Sequence, residues 1–398
     1  MEEEVKKTPK TKKKSAVKEE KETKTAKASK TVAKKETKSE AEKDVKVEKA
    51  EKVTKPKKEE VKEKVKKEAK KTKKTSTKSE KSDKKTAEKK TTKKEKAEKE
   101  EKVKEEPYDI LDIEGYHHLK LYSYVYDKIK NPKAVILIVH GMMEHAFRYD
   151  NFARFLNDNG YYVIANDLRG HGHTAVDKKF GMGEKDIFQE TVQDEIVMLE
   201  KIKDAYNLPV YLFGHSYGSM ISQAIIQNTD IVEKCVLCGT ANGSSGIMKM
   251  GGSFTKFLSL FKGDTAKAGV VENMCIKNYG KKFENGNWLT RDENVFKAYQ
   301  EDEFCGGTFP FGFYKSMLTN MKKINAGINK IGNKKIFLIA GEKDPVGSCG
   351  KQVVALNKRY LSNNIDSRVK IYPECRHELI NELNKEEVYN DILDFYNS

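Results

Sequence analysis

Residues 210–218 read Val-Tyr-Leu-Phe-Gly-His-Ser-Tyr-Gly, an apolar run that leads directly into the pattern G-x-S-x-G. The apolar run predicts a buried strand, and Tyr217–Gln227 after it predicts a helix. A tight strand-to-helix turn strains its central residue and lifts that side chain above the sheet. Ser216 is therefore predicted to be a nucleophile, with a helix N-cap as the alternative role.

Strand and helix patterns alternate on both sides of this turn. The predicted strands are His118–Tyr126, Ala134–Val139, Tyr161–Ala165, Cys235–Cys238, Lys335–Ala340 and Arg368–Tyr372. The predicted helices are Asn151–Asn159, Ile187–Tyr206, Lys351–Tyr360 and Lys385–Tyr396. Such alternation implies an α/β fold, a mostly parallel sheet with helices on both faces. The irregular stretch at about residues 240–333 is too long for a loop, so we expect an inserted cap there.

A serine nucleophile needs a base, and in folds with this turn the acid and then the histidine follow it along the chain. Of the eight histidines only His377 comes after Ser216, in a loop that follows a predicted strand. His377 is therefore the predicted base, and an ordinary loop histidine is the alternative.

The acid must lie between these two residues, at the end of a strand. Asp344 is the one aspartate there that follows a buried strand, in the segment KIFLIAGEKDP. It would hold the histidine tautomer and stabilise the imidazolium. Glu342 and, less well placed, Asp230 are the alternative acids, and a turn residue before a proline is the non-catalytic role of Asp344.

The transition state needs two backbone N–H donors for the oxyanion. One amide follows the nucleophile and belongs to Tyr217. The other is expected from the loop after Ala134–Val139, where Met142 is the best candidate. The alternative is that Gly141 only ends a strand.

All of the net charge of +16 lies in the first quarter of the chain. Residues 1–106 hold 41 Lys and 25 acidic residues, whereas the remaining residues carry equal numbers of both signs. Residues 1–106 contain no Phe, Tyr, Trp, Ile or Leu. Such a segment cannot bury enough apolar surface to offset its chain entropy. We expect a disordered Lys/Glu-rich tail at 1–106 and a folded domain at 107–398.

Several classes of protein are excluded by the same reading. The first residues lack the pattern of a signal peptide, and no apolar run is long enough to span a membrane. The pair Cys235 and Cys238 lies inside an apolar run without a partner pair, and His171 with His173 does not make a zinc site alone. We therefore expect a reduced, cytoplasmic protein with no metal and no cofactor.

Five segments together resemble the monoacylglycerol lipase and lysophospholipase branch of the α/β-hydrolases, also labelled serine aminopeptidase S33-like. They are HGMMEHAFRY, NDLRGHGHT, GHSYGS, GEKDPVG and YPECRHELINE, in family order over about residues 108–397. Thr174, Tyr217 and Ser219 depart from the usual family residues. The resemblance implies that Glu144, His145 and Arg169 brace loops.

The resemblance also implies hydrolysis of esters of single-chain lipids, monoacylglycerol or lysophospholipid, through an acyl-enzyme. A thioesterase, a short-chain carboxylesterase and an S33-type peptidase are alternatives on the same fold. A non-enzymatic binding module is disfavoured by the intact Ser/Asp/His set.

The predicted cap carries Phe254, Phe257, Leu258 and Phe261 at the spacing of one helix face. These residues either pack on the core, or line an acyl-chain site or a patch that dips into a membrane surface. The charged tail is either simply solvated or makes peripheral contact with the anionic inner membrane surface. Nucleic acid is not an expected partner, because the tail has no aromatic residues to stack on bases. The sequence does not determine the oligomeric state.

Overall fold

The structure, a computed structural model, describes residues 106–242, 246–274 and 278–398, without the side chains of residues 246–252. The predicted tail at 1–106 lies outside the described residues except for its last member. Among the described residues, none of the helices has the length and apolar character that crossing a membrane requires.

The described residues form an eight-stranded sheet in the order β1-β2-β4-β3-β5-β6-β7-β8. The strands are β1 Asp109–Glu114, β2 Lys120–Tyr126, β3 Ala134–Val139, β4 Tyr161–Asn166, β5 Val210–His215, β6 Val232–Cys238, β7 Lys335–Gly341 and β8 Ser367–Tyr372. β2 runs antiparallel to both β1 and β4, and all pairings from β4 to β8 are parallel. The carboxyl ends of β3, β5, β6, β7 and β8 therefore meet at one edge.

The helices connect these strands, and several lie in the segment at 240–333 where a cap was predicted. They are α1 Asp150–Asp158, α2 Ile187–Tyr206, α3 Tyr217–Ile225, α4 Gly246–Lys262, α5 Gly269–Glu272, α6 Asn278–Gly280, α7 Glu293–Glu301, α8 Phe311–Ala326, α9 Lys351–Ser362 and α10 Lys385–Asn397. Short 3₁₀ turns lie at Tyr116–His118, Ala146–Tyr149, Gly172–Thr174, Val176–Lys178, Glu284–Gly286, Ile328–Lys330 and Leu379–Asn381.

The core lies on both faces of the sheet, and β3 shows how the sequence produces it. Val135 and Leu137 belong to the cluster that packs under α2 and α3, whereas Ile136 and Ile138 belong to the cluster under α1 and α10. Successive side chains of a strand point to opposite faces. A strand that must be apolar on both faces is therefore a continuous apolar run.

The predicted α/β fold is confirmed. The predicted bounds of β3 and α2 coincide with the structure, and the segment at 240–333 contains α4 to α8 in place of regular strand–helix alternation. The sequence prediction missed β1, whose side chains are mostly exposed. Because β1 is the edge strand, β2 is not an edge but pairs on both sides. The division into tail, hydrolase domain and cap stays a prediction.

Gly218 provides a test of how closely α3 crosses β3. A Cβ at this position would lie 2.1 Å from the carbonyl oxygen of Val139 and 2.3 Å from that of His140. Backbone atoms cannot move aside as side chains do, so Gly218→Ala is expected to lower the free energy of unfolding by about 3 kcal/mol. Urea unfolding of the two proteins measures this loss.

Gly269→Ala is the matched control. Gly269 begins α5, and a Cβ there would meet nothing within 4 Å. Its effect is expected to stay within about 0.5 kcal/mol. Equal losses of unfolding free energy in Gly218→Ala and Gly269→Ala would contradict the close contact between α3 and the end of β3.

Candidate active site

The turn between β5 and α3 holds Ser216 in a strained backbone conformation. Its φ of 51° and ψ of −117° lie outside the regions that L-residues ordinarily occupy. The Ser216 amide donates to the carbonyl of Cys238 on the neighbouring strand at 2.9 Å. Ser216 stays partly exposed although β5 before it and α3 after it are buried. The turn therefore presents a serine hydroxyl at the carboxyl edge of the sheet.

Asp344 and His377 follow the ends of β7 and β8, and both are buried. Nδ1 of His377 lies 3.0 Å from Oδ2 of Asp344. The two groups are thus at ion-pair distance. The other carboxylate oxygen of Asp344 accepts the amide of Val346 at 2.8 Å. The acid is held by its own loop and faces the imidazole.

The two alternative acids have other surroundings. Glu342 is exposed and accepts the amide of Glu374 at 3.1 Å. Asp230 is exposed and pairs with Lys334 at 3.1 Å. Of the three acids that the sequence offered, Asp344 is the one the structure pairs with His377.

The electrostatic environment of His377 favours its charged form. Burial has the largest single effect and would lower the pKa of His377, but the contact with Asp344 and the charges of Glu378 and Glu144 together outweigh it. The pKa of His377 is therefore raised above its ordinary value. The adjoining His215, with ring centroids 4.7 Å apart, is itself buried, and burial lowers its pKa.

Two residues around the imidazole were missed by the sequence analysis. Gly239 follows β6 with a φ of +59°, and a Cβ there would lie 2.9 Å from Cε1 of His377. The ring of Trp288, the one tryptophan of the chain, lies 5.0 Å from the imidazole between centroids. Gly239 could have been recognised in the sequence, because it directly follows a predicted strand. The sequence held no signal for Trp288, because it lies in the irregular region.

The two predicted oxyanion donors lie beside the serine. A Cβ on Gly141 would be 3.3 Å from Cβ of Ser216, so the loop after β3 adjoins the nucleophile. Tyr217 begins α3, and the N–H of a first helical residue has no acceptor within the helix. In the described part of the chain, the Met142 amide donates to no backbone carbonyl. Both amides are thus available to a ligand.

A buried charge network, formed by Glu144, Arg148 and Glu378, joins this loop to the histidine. Glu144 accepts the amide of Gly141 at 2.6 Å and pairs with Arg148. Arg148 also donates two hydrogen bonds to the carboxylate of Glu378, at 2.9 and 2.6 Å. Burial would raise the pKa of Glu378, but Arg148 holds it below its ordinary value. Glu378 directly follows His377, so the network fixes both loops against each other.

Residues 287–291 of the predicted cap hold the histidine loop from the other side. The amide of Glu378 donates to the carbonyl of Leu289 at 2.7 Å. The guanidinium of Arg376 donates to the carbonyl of Asn287 at 2.6 Å. The residues before and after His377 are therefore both hydrogen-bonded to this segment.

Glu382 connects the same two segments through its side chain. Its carboxylate accepts the amide of Arg376 at 2.6 Å and the Nε of Arg291 at 2.8 Å. Sequence reasoning assigned no role to Glu382, although it ends the segment YPECRHELINE. The hydrogen bonds make it a brace of the histidine loop.

Arg169, a predicted loop brace, and the nearby His171 and His173 make polar contacts around the turn after β4. Arg169 donates to Asp194 at 2.7 and 2.8 Å. Nδ1 of His171 lies 3.1 Å from the carbonyl of Arg169, and burial lowers the pKa of His171 to about 3. Nδ1 of His173 lies 3.1 Å from Asp167. These contacts order the turn after β4.

The four predicted substrate-binding residues lie on α4 and do not enclose a tunnel in this conformation. Phe254 is 39% exposed, Phe257 57% and Phe261 76%. Leu258 is partly buried and packs against the core. The helix thus turns most of its aromatic side chains outward, and substrate binding by them stays a prediction.

The chain matches a family model described as serine aminopeptidase, S33, over residues 130–384. A monoglyceride lipase of Homo sapiens is 26% identical over 263 residues, covering 66% of this chain and 80% of that protein. A monoglyceride lipase homolog of Monkeypox virus is 25% identical over 264 residues, covering 65% and 87%. Most of the length of both relatives is therefore matched.

Solved structures share the fold. A thermostable carboxyl esterase from Bacillus coagulans, in complex with glycerol, superposes with a TM-score of 0.67 at 25% identity and covers 74% of this chain and 99% of its own. A soluble variant of monoglyceride lipase from Saccharomyces cerevisiae, bound to a substrate analog, has a TM-score of 0.56 at 16% identity. It covers 74% of this chain and 96% of its own. The second likeness concerns the fold alone.

The cause of the raised pKa of His377 can be tested directly. Asp344→Asn removes the main charge that favours the imidazolium and leaves the ring buried, so we expect the pKa of His377 to fall. Proton NMR of the imidazole across a pH titration measures the change. Asp366→Asn, which alters an exposed aspartate, is the control and should leave the pKa of His377 unchanged. An unchanged pKa in Asp344→Asn would show that another charge dominates.

Proposed function

Because the chain belongs to the serine aminopeptidase S33 family and is a carboxylic ester hydrolase with the α/β-hydrolase fold, we propose that it cleaves esters of single-chain lipids. The substrate is monoacylglycerol or lysophospholipid, and the reaction proceeds through an acyl-enzyme. One observation carries the proposal: a strained, partly exposed Ser216 at the sheet edge where buried His377 faces Asp344.

Acylation begins when His377 removes the proton of the Ser216 hydroxyl and the oxygen attacks the ester carbonyl. The carbonyl oxygen becomes an oxyanion and accepts hydrogen bonds from the amides of Met142 and Tyr217. When the tetrahedral intermediate collapses, the bond to the alcohol breaks and His377 gives its proton to the leaving alcohol. The acyl group stays on Ser216.

Deacylation repeats these steps with water as the nucleophile. His377 takes a proton from the water, the same two amides hold the second oxyanion, and the fatty acid leaves as Ser216 regains its proton. The raised pKa of His377 favours both acylation and deacylation, because the imidazolium must persist while each tetrahedral intermediate exists. Asp344 supplies most of that stabilisation.

The substrate class is supported by the named relatives and by the surface of α4. The human and viral relatives are called a monoglyceride lipase and a monoglyceride lipase homolog. The exposed phenylalanines of α4 offer apolar contacts to an acyl chain. A cavity of about 420 Å³ between residues 181–187 and the cap has Lys256 and Lys315 in its lining and no triad residue, so we do not assign it to the acyl chain.

Peripheral contact with an anionic membrane is proposed for the basic segment at 1–106, which would bring the enzyme to its substrate at the inner surface of the membrane. The exposed phenylalanines of α4 would add apolar contacts. The excess of 41 Lys over 25 acidic residues in this segment supports the contact.

Ser216→Ala is expected to reduce hydrolysis by roughly a million-fold, since only the oxyanion donors and substrate binding remain. The measurement is turnover on a panel of p-nitrophenyl esters from short to long chains, monoacylglycerol and lysophosphatidylcholine. A fluorophosphonate probe should label the native protein and not the variant.

Ser362→Ala, at an exposed position at the end of α9, is the control and should keep both labelling and turnover. Labelling of Ser216→Ala equal to that of the native protein would contradict the assignment of the nucleophile. If an amino-acid anilide or an acyl thioester were hydrolysed faster than every lipid ester, the proposed substrate class would be wrong, but the proposed triad would stand.

Phe257→Asp tests whether α4 contacts the acyl chain. Phe257 is 57% exposed, so the substitution should cost little stability, whereas each methylene removed from an apolar contact costs about 0.8 kcal/mol. We expect hydrolysis of long-chain esters to fall far more than hydrolysis of acetate esters. Turnover as a function of chain length, with a thermal melt of each protein, measures this difference.

Leu361→Asp is the matched control, because Leu361 is similarly exposed, at 52%, but lies on α9. It should leave the chain-length profile unchanged. A uniform loss on all chain lengths in Phe257→Asp, with a lower melting temperature, would indicate that Phe257 only packs.

A further inference from the structure

Three side chains of types that bind metals lie close together, outside the proposed catalytic triad. They lie between the predicted cap and residues 140–144 after β3, which we call the oxyanion loop. His145 follows the oxyanion loop, whereas Asp302 and Cys305 lie just after α7. One donor atom from each residue lies within 4.8 Å of the other two, and Nε2 of His145 is 2.8 Å from Oδ2 of Asp302. We call these residues the His145 cluster.

The chemistry of this donor set selects the ion. An imidazole nitrogen, a thiolate and a carboxylate together suit a borderline-soft divalent ion such as Zn²⁺, whereas Mg²⁺ and Ca²⁺ prefer oxygen alone. Tetrahedral zinc with the usual bond lengths places its ligand atoms about 3.5 Å apart. Binding therefore needs the His145–Asp302 contact to open slightly and the Cys305 sulfur to move in by side-chain rotation.

The backbone around the cluster is already ordered. The amide of Phe304 donates to Oδ1 of Asp302 at 2.8 Å, and the amide of Cys305 donates to the Asp302 carbonyl at 3.1 Å. The turn that carries two of the donors is thus formed before an ion arrives. His145 is nine-tenths buried, and its Nδ1 has no hydrogen-bond partner among the described residues. The hydrogen bond with Asp302 and the packing against the ring of Phe304, with centroids 5.6 Å apart, orient this ring.

The surroundings supply negative charge and an entry path. The neighbouring network has two carboxylates, Glu144 and Glu378, against the single cation of Arg148. A surface cavity of about 260 Å³ is lined by Asp302 together with Arg148 and Tyr299. An ion can reach the carboxylate through this cavity.

We propose that His145, Asp302 and Cys305 bind a Zn²⁺-class ion that ties the oxyanion loop to the cap. The two segments already touch, since the amide of Gly306 donates to the carbonyl of Met143 at 2.8 Å. The Tyr299 hydroxyl donates to the same carbonyl at 3.3 Å, and a metal with ligands on both sides adds a cross-link to these hydrogen bonds. The fourth position is taken by water.

The sequence offered no sign of this site. Its donors are separated by 157 positions between His145 and Asp302, far from any ligand spacing that a linear motif contains. The expectation of no metal was based on the C-x-x-C and H-x-H patterns, and neither includes these residues.

Cobalt(II) titration of the full-length reduced protein tests the proposal, because a Co²⁺–thiolate bond produces a near-ultraviolet charge-transfer band that carboxylates do not produce. We expect this band at one Co²⁺ per chain, and displacement of Co²⁺ by Zn²⁺ in competition. Calorimetry with Zn²⁺ alone gives the affinity. Thermal melts with and without Zn²⁺ should show stabilisation of the native protein.

Cys305→Ser should abolish the band and weaken Zn²⁺ binding by about 100-fold or more, because it removes the thiolate. Asp302→Asn keeps an oxygen for the Phe304 amide and should also weaken binding. Cys349→Ser, at an exposed cysteine, is the matched control and should retain the band. A band that survives in Cys305→Ser, or that never forms in the native protein, would overturn the proposal, and neither result bears on hydrolysis at Ser216.

Discussion

The arrangement of the loops around Ser216 and His377 depends on one buried cation, Arg148. Its two carboxylate partners belong to different loops: Glu144 holds the amide of Gly141 in the loop after β3, and Glu378 follows His377, the proposed base. Losing one partner of a buried ion pair leaves a charge uncompensated and typically costs about 3–5 kcal/mol. Neither loop can therefore move without weakening the other. The network converts two loops into one rigid frame around the serine.

Backbone sterics provide the second constraint on that frame. The strained turn at Ser216 persists because its neighbours allow no other backbone conformation. The Ser216 amide is hydrogen-bonded to β6, and α3 packs against the end of β3 at Gly218. Gly239 acts in the same way for the base, since its missing side chain is the space that the imidazole ring fills. Glycine at these positions is required by contact, and Ser216 and His377 take their positions because of it.

Whether a feature could be predicted from the sequence depends on how far apart in the chain its interacting residues lie. Continuous apolar runs and helical spacing are local, so β3 and α2 were predicted with their observed bounds. β1 was missed because an exposed edge strand, DILDIE, has little apolar surface to bury. The Arg148–Glu378 pair spans 230 positions, and no local pattern could have joined these residues. The order of serine, acid and histidine could be read from the chain, whereas the contacts that hold them required the fold.

The predicted cap is hydrogen-bonded both to the loop that carries His377 and to the loop after β3. Residues 287–291 are hydrogen-bonded on either side of His377, and Gly306 is hydrogen-bonded to the oxyanion loop at Met143. A cap that only covered a substrate could move without consequence for the chemistry. Here a movement of the predicted cap that admits a substrate must also act on His377 and on the loop of Met142. In the proposed mechanism, substrate fit and transition-state stabilisation are therefore linked through the cap, so that changes in its packing should alter turnover as well as affinity.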